Sequence, residues 1–207
     1  MTHPLVTYCA DVVRFLEGKP NVFGSPCEIG QDGATTTCST FLTMALMRCY
    51  SLQRADIIDA FEGTWPRARA FQQAFAAGRP SEPLFKVTDL GPGTMGAIGY
   101  DEDQEGMSGH CFIVMERPRS TVYRYGGFAE YIVAVCDSCR THHGASDSRY
   151  LKPGGIGIGP IRLLVDDNDV VQGYTWSLGI ESTAKYNGQG QQLSFANPPP
   201  DWRLRHG

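Results

Sequence analysis

The chain has 207 residues, enough for one domain with a sizeable core. Hydrophobic residues make up 42% and charged residues 19%, which is a globular composition, and the net charge is -4 at pH 7. The charges form no basic block, so we expect no nucleic-acid partner. No apolar run approaches the roughly 20 residues needed to cross a bilayer, so we expect no membrane span.

The N-terminal sequence carries no visible targeting signal. Met1 to Pro4 has neither a basic region nor a following apolar stretch. We therefore expect a cytoplasmic protein, or one exported without such a signal peptide. The chain contains 7 cysteines at irregular spacing, and an odd count leaves at least one thiol free. A free thiol fits a reducing compartment or a reactive cysteine.

The first part of the chain is predicted to be helical. Apolar residues recur at helical spacing over 5–17, and Gly18 ends that pattern. A run of threonines leads into a second helix over about 38–50. Two further helices are expected over 54–62 and 66–77.

The chain from residue 84 onward has the pattern of an antiparallel sheet, in which short apolar segments alternate with turns. The expected strands are 85–90, 95–100, 110–116, 121–125, 130–136, 161–165 and 170–178. The glycine-rich stretch 144–159 is expected to be a loop. Helices followed by a sheet predict an α+β fold. Residues 1–183 are expected to form a single domain, and residues 184–207 an extended C-terminal tail.

Cys38 is the candidate nucleophile, because it opens the second helix. The first N–H groups of a helix lack helical partners and carry a partial positive charge. A thiolate at this position is stabilised, and the same N–H groups can hold an oxyanion. Ser39 follows it in the first turn, and we expect Ser39 and Phe23 to bind substrate. The alternative is that Cys38 is a small buried core residue, as most free cysteines are.

His110 is the candidate general base, because it stands at the mouth of an apolar strand. From there an imidazole can reach a helix N-terminus, take the thiol proton and return it to a leaving group. The alternative is a structural histidine with satisfied hydrogen bonds. Asp137 ends another apolar strand and can orient His110, which would complete a triad. Asp137 can also be a turn cap, and His142 or His143 can take its place as third member.

The segment from Cys136 to His143 permits a rival reading. Cys136, Cys139, His142 and His143 together offer four zinc ligands, although their spacing is shorter than in the usual zinc fingers. The reading that we favour places His142, His143, Asp147 and Arg149 at the rim of a pocket. There they would grip a carboxylate of the substrate.

Several segments together resemble the NlpC-type cysteine hydrolases, which are papain-like enzymes that cut amide bonds in bacterial cell-wall peptides. The matching segments are Asn21-Val22-Phe23-Gly24, Cys38-Ser39-Thr40-Phe41, Leu90-Gly91-Pro92-Gly93, Gly109-His110 through Val114, and Val135-Cys136-Asp137-Ser138. The resemblance implies a papain-like fold with an antiparallel sheet of about five or six strands. It maps the catalytic triad onto Cys38, His110 and Asp137, and an early-loop aromatic onto Phe23.

The sequence therefore predicts a cysteine peptidase or amidase that works through a thioester and needs no metal or organic cofactor. Its partner would be a peptide or amide substrate, and peptidoglycan fragments are the class that the resemblance implies. Two alternatives stay open. One is a thiol acyltransferase, in which an amine or alcohol replaces water. The other is a non-catalytic module that binds a peptide or glycan in the same cleft.

Overall fold

The architecture is α+β, with a few helices packed on a large antiparallel sheet. The computed structural model describes residues 2–152, 154–179 and 182–204. In this part of the chain the helices are α1 (Pro4–Phe15), α2 (Cys38–Tyr50), α3 (Arg54–Phe61), α4 (Ala68–Ala76) and α5 (Pro200–Leu204). The first four helices lie close to the four predicted segments. None of the helices in the described ranges has the length and apolarity to cross a membrane.

The strands form one small and one large sheet. They are β1 (Asn21–Phe23), β2 (Glu28–Gly30), β3 (Gly33–Thr36), β4 (Pro83–Leu84), β5 (Met95–Gln104), β6 (Met107–Val114), β7 (Arg119–Tyr125), β8 (Phe128–Cys139), β9 (Gly155–Val165), β10 (Val171–Thr175), β11 (Lys185–Tyr186) and β12 (Gln191–Ala196). The small sheet has the order β1-β3-β2. The large sheet has the order β11-β10-β9-β8-β6-β5-β12-β4, and β7 pairs with β8.

The large sheet has 9 strands in the described part of the chain, so the expectation of five or six was too small. Two segments account for much of the difference. Residues 191–196 were expected to belong to an extended tail, but β12 pairs with β5 along its whole length. Its Leu193 and Phe195 are buried, and this burial holds the strand in the sheet. The last three residues of that expected tail, 205–207, lie outside the described residues.

The second segment is the glycine-rich stretch. We expected a loop over 144–159, but β9 begins at Gly155 and pairs with β8 from Gly155 to Val165. A third difference is local. The expected strand over 85–90 is replaced by the short strand β4 and by a 3-10 turn over Val87–Asp89.

Two apolar clusters lie on opposite faces of the sheet. The larger cluster joins α1 to α4 with inward residues of β5, β6 and β8. The other contains residues such as Phe112 and Val135, whose chain neighbours Cys111 and Cys136 belong to the first cluster, as the two-residue period of a strand requires. A bridge between Lys86 and Val170 joins opposite ends of the sheet, which curls around the second cluster.

Candidate active site

Cys38 is the first residue of α2, as the sequence predicts. The helix starts in a capping box, in which the Thr40 N–H donates to Thr37 Oγ1 at 3.5 Å and the Thr37 N–H donates to Thr40 Oγ1 at 3.0 Å. Phe41 and Leu42 are buried and fix the helix against the sheet. The Cys38 side chain is therefore held at the positive end of a rigidly packed helix.

The surroundings of Cys38 favour its thiolate. The Cys111 thiol donates a hydrogen bond to the Cys38 sulfur, and this bond contributes most to holding the pKa of Cys38 well below its usual value. Burial opposes the shift, whereas the charge and hydrogen bond of His110 and the backbone N–H of Cys111 add to it. Burial and the same contact raise the pKa of Cys111, so the proton of this thiol pair stays on Cys111.

His110 lies on β6 and bridges Cys38 to Asp137. Its Nε2 is 2.6 Å from Asp137 Oδ2, so Nδ1 is the nitrogen left for the Cys38 sulfur. Burial by itself would lower the pKa of His110. The negative charges of Cys38 and Asp137 outweigh burial and raise that pKa to about 9. The structure therefore brings Cys38, His110 and Asp137 together, which agrees with the predicted grouping.

Asp137 reaches His110 because their strands are neighbours. β6 and β8 pair with Ile113 opposite Cys136, and Asp137 follows Cys136 on the other face of the sheet. Arg149 Nη1 lies 2.7 Å from Asp137 Oδ1. Burial would raise the pKa of Asp137, but the positive charges of Arg149, His143 and His110 hold it well below its usual range. Asp137 is therefore a fully buried anion.

His143, Asp147 and Arg149 do not lie at the pocket rim, so that expectation was wrong. His143 and Arg149 are each 1% exposed, and Asp147 is 4% exposed. His143 Nε2 lies 2.9 Å from Asp137 Oδ2, on the side away from the pocket. Arg149 also donates to both carboxylate oxygens of Asp147, at 2.9 Å and 2.7 Å. His143 and Arg149 both contact the buried Asp137 carboxylate, and neither is available to bind a substrate carboxylate.

Glycines in β9 make room for this buried charge network. A Cβ at Gly157 would collide with the Arg149 side chain, and one at Gly159 would collide with Asp147. The strand can therefore carry no side chain at these points, because the guanidinium and its carboxylate partner occupy that space. This close approach explains why glycines occupy these two positions of β9.

A pocket of about 730 Å³ opens over Cys38 and His110. Phe23 and Ser39, both predicted to bind substrate, line this pocket. His142 is absent from the described residues that line it, which corrects its predicted placement. Its Nδ1 accepts a hydrogen bond from the Gly144 N–H at 3.0 Å, and its ring packs against Tyr150.

Trp176 is a residue of the site that the sequence did not reveal. Its ring centroid lies 4.5 Å from that of His110 with an interplanar angle of 84°, and 4.5 Å from that of His143. It thereby covers the hydrogen bond between His110 and Asp137. The residue follows β10 in a segment whose alternation indicated only a strand, and no motif marked it.

The four residues that were considered as alternative zinc ligands do not come together in the structure. Cys136 belongs to the helix-facing apolar cluster and contacts Cys9. Cys139 and His143 do lie near Asp137, but Arg149 Nη1 is 3.0 Å from Cys139 Sγ and 2.7 Å from Asp137 Oδ1. The guanidinium already supplies the positive charge there, so these residues do not fit a metal ion.

Comparison with known proteins gives a distant relative. The chain is 24% identical over 160 residues to an uncharacterized protein of Acanthamoeba polyphaga mimivirus, covering 71% of this chain and 70% of that protein. No family model matches the chain. No solved structure matches it either.

Proposed function

We propose that the protein is a cysteine-dependent hydrolase of amide bonds. The observation that carries this proposal is that His110 interacts with both Cys38 and Asp137, while Cys38 and His110 line an open pocket. A nucleophile, a base and a group that orients the base are the parts that acyl transfer through a thioester requires. The perturbed pKa values of all three point in the directions that this chemistry needs.

The proposed reaction starts from a thiolate–imidazolium pair. The Cys38 sulfur attacks the carbonyl carbon, and the Cys38 backbone N–H at the helix start stabilises the oxyanion that forms. The proton on His110 Nδ1 passes to the leaving nitrogen, and the C–N bond breaks. His110 then takes a proton from water, which attacks the thioester carbonyl. The C–S bond breaks and Cys38 is regenerated.

The finer assignment is to a papain-like fold of the NlpC type. Its support is the placement of the nucleophile at the start of a helix and of the base on a strand that this helix packs against. The substrate class that follows is a peptide amide, with fragments of the bacterial cell wall as the first compounds to test. The pocket combines aromatic walls, such as Trp65 and Tyr100, with polar groups, which suits a peptide chain.

The test is a search for a thioester on Cys38. The protein is mixed with a panel of peptide amides and muropeptides, quenched in acid and digested, and the peptide that contains Cys38 is weighed by mass spectrometry. The proposal predicts an acyl adduct on Cys38 that disappears on addition of hydroxylamine. His110→Gln should abolish the adduct, because the thiolate loses its imidazolium partner.

Two other outcomes discriminate the alternatives. Transfer of the acyl group to an added amine, with no hydrolysis in its absence, would identify an acyltransferase. Saturable binding of a peptide or glycan without any adduct or turnover would identify a binding module and contradict the proposed chemistry.

A further inference from the structure

His143 has an oxygen acceptor at each of its ring nitrogens. Its Nδ1 lies 2.8 Å from the carbonyl oxygen of Trp176, and its Nε2 lies 2.9 Å from Asp137 Oδ2. A neutral imidazole has one donor nitrogen and one acceptor nitrogen, and a carbonyl oxygen can only accept. Nδ1 must therefore carry a proton, and the contact at Nε2 needs a second one.

That second proton belongs to either Asp137 or His143. The Asp137 carboxylate accepts a hydrogen bond from His110 at 2.6 Å and lies 2.7 Å from the Arg149 guanidinium. Both contacts stabilise the ionised carboxylate, and an ionised carboxylate only accepts. The proton is therefore on His143 Nε2.

We propose that His143 is a buried imidazolium, with a proton on each ring nitrogen, that positions the Asp137 carboxylate. The other charged and titratable groups around it are Asp137 at the end of β8 and Asp147 and Arg149 in the segment between β8 and β9. Asp147 Oδ2 accepts the backbone N–H of His143 at 2.7 Å. The carboxylates of Asp137 and Asp147 thus balance Arg149 and His143, while the Cys38 thiolate balances His110. The Cys139 thiol stays neutral because burial raises its pKa.

This second cation has a consequence for His110. Both imidazoles donate to the same oxygen of Asp137. The positive charge of His143 therefore weakens the attraction between the Asp137 carboxylate and the proton on His110. His143 therefore lowers the pKa of His110 relative to a site with a neutral neighbour. The positioning role rests on the proposed function, because it keeps His110 acidic enough to protonate a leaving amine. The charge of His143 does not rest on it.

The experiment is nitrogen-15 NMR of the full-length protein labelled at histidine. At pH 7.5 both ring nitrogens of His143 should resonate as protonated nitrogens, each bonded to a slowly exchanging proton. One unprotonated ring nitrogen on His143 would overturn the proposal. This readout needs no substrate, so it is separate from the test of the proposed function.

The variant His143→Gln keeps an N–H donor but removes the charge. We expect the pKa of His110, read from its ring nitrogens, to rise by about one unit above that of the unmodified protein. His142→Gln is the matched control, because His142 does not contact Asp137, and it should leave the titration of His110 unchanged. An unmoved titration in folded His143→Gln would mean that the residue only fills space. If that variant does not fold, the spectrum of the unmodified protein decides the question alone.

The outcomes separate the two proposals. A doubly protonated His143 in a protein that forms no acyl adduct would uphold the buried imidazolium and refute the hydrolase. A singly protonated His143 in a protein that forms the adduct would do the reverse.

Discussion

His110 Nε2 lies 2.6 Å from Asp137 Oδ2, and this contact leaves Nδ1 as the ring nitrogen that can interact with Cys38. The two residues lie on neighbouring strands, and the nucleophile lies at the start of a helix that packs on one of them. Of these three residues, Cys38 and His110 line the pocket, while the Asp137 carboxylate is fully buried. The site therefore has an open side, where Cys38 and His110 line the pocket, and a buried, charged side around Asp137.

Replacing the nucleophile should remove activity but not the fold. Cys38→Ser swaps one atom in a packed site, so we expect turnover to fall to background and the free energy of unfolding to change by less than about 1.5 kcal/mol. Substrate assays and urea denaturation measure the two quantities. Cys27→Ser is the control, because its sulfur contacts Thr40 and does not line the pocket. A large loss of stability with unchanged turnover would make Cys38 a packing residue.

Turnover of an amide substrate should fall as the pH rises through about 9, since His110 has its pKa at about 9 and must supply the proton to the leaving amine. The acid limb should lie well below the range of an ordinary thiol, because the pKa of Cys38 is lowered. An activated ester with a good leaving group needs no such proton and should keep its rate above this pH. Amide turnover that continues to rise across the same range would contradict the assignment of His110.

Arg149→Leu should destabilise the fold by about 3–5 kcal/mol, because it removes the guanidinium that pairs with the buried carboxylates of Asp137 and Asp147. Urea denaturation at neutral pH measures the loss. Arg140→Leu is the matched control: its ion pair with Glu105 is 3.5 Å long and both side chains are largely exposed, so we expect at most about 1 kcal/mol. Equal losses in the two variants would refute the structural role given to the buried network.

Acid should unfold the protein through the same network. The pKa of Asp137 is depressed in the folded state, so its contribution to stability is fully present above the unfolded value of about 3.9 and is lost as the pH falls through the folded value. Urea midpoints measured at successive pH values below about 4 should therefore fall steeply. In Arg149→Leu this acid dependence should be weaker, and an identical dependence would contradict the pairing.

Trp176→Ala should expose the hydrogen bond between His110 and Asp137 to water. Loss of roughly 1–1.5 kcal/mol from that bond corresponds to a fall of about tenfold in kcat/KM. Trp176→Phe keeps a ring over the bond and should recover most of the rate. A rate that is equally low in both variants would mean that the indole itself, rather than the cover it provides, is required.

Local signals were enough to predict the first four helices and to indicate three residues that the structure brings together. The threonines before Cys38 are a capping pattern, and the positions of His110 and Asp137 at the ends of apolar runs put them near one sheet edge. These signals depend on a few adjacent residues. Long-range packing does not alter them, so α2 begins and ends where the sequence predicts.

The buried charged residues around Asp137 could not be predicted in this way. Charged residues such as Arg149 are rarely buried, so a rim position was the natural expectation. Its burial depends on Asp147 and on the missing side chains of Gly157 and Gly159, which meet it only in three dimensions. In the same way, residues 191–196 were expected to belong to an extended tail, because β12 is fixed by pairing with β5, which lies far away in the sequence.

The ion pair between Cys38 and His110 can be tested by the rate at which iodoacetamide alkylates Cys38 at pH 5.5. Mass spectrometry of the peptide that contains Cys38 measures this rate. A thiolate held by Cys111 and His110 should react at this pH far faster than Cys27 in the same protein, and His110→Gln should remove most of that advantage. If Cys38 reacts no faster than Cys27, or equally fast without His110, the two residues do not form the proposed ion pair.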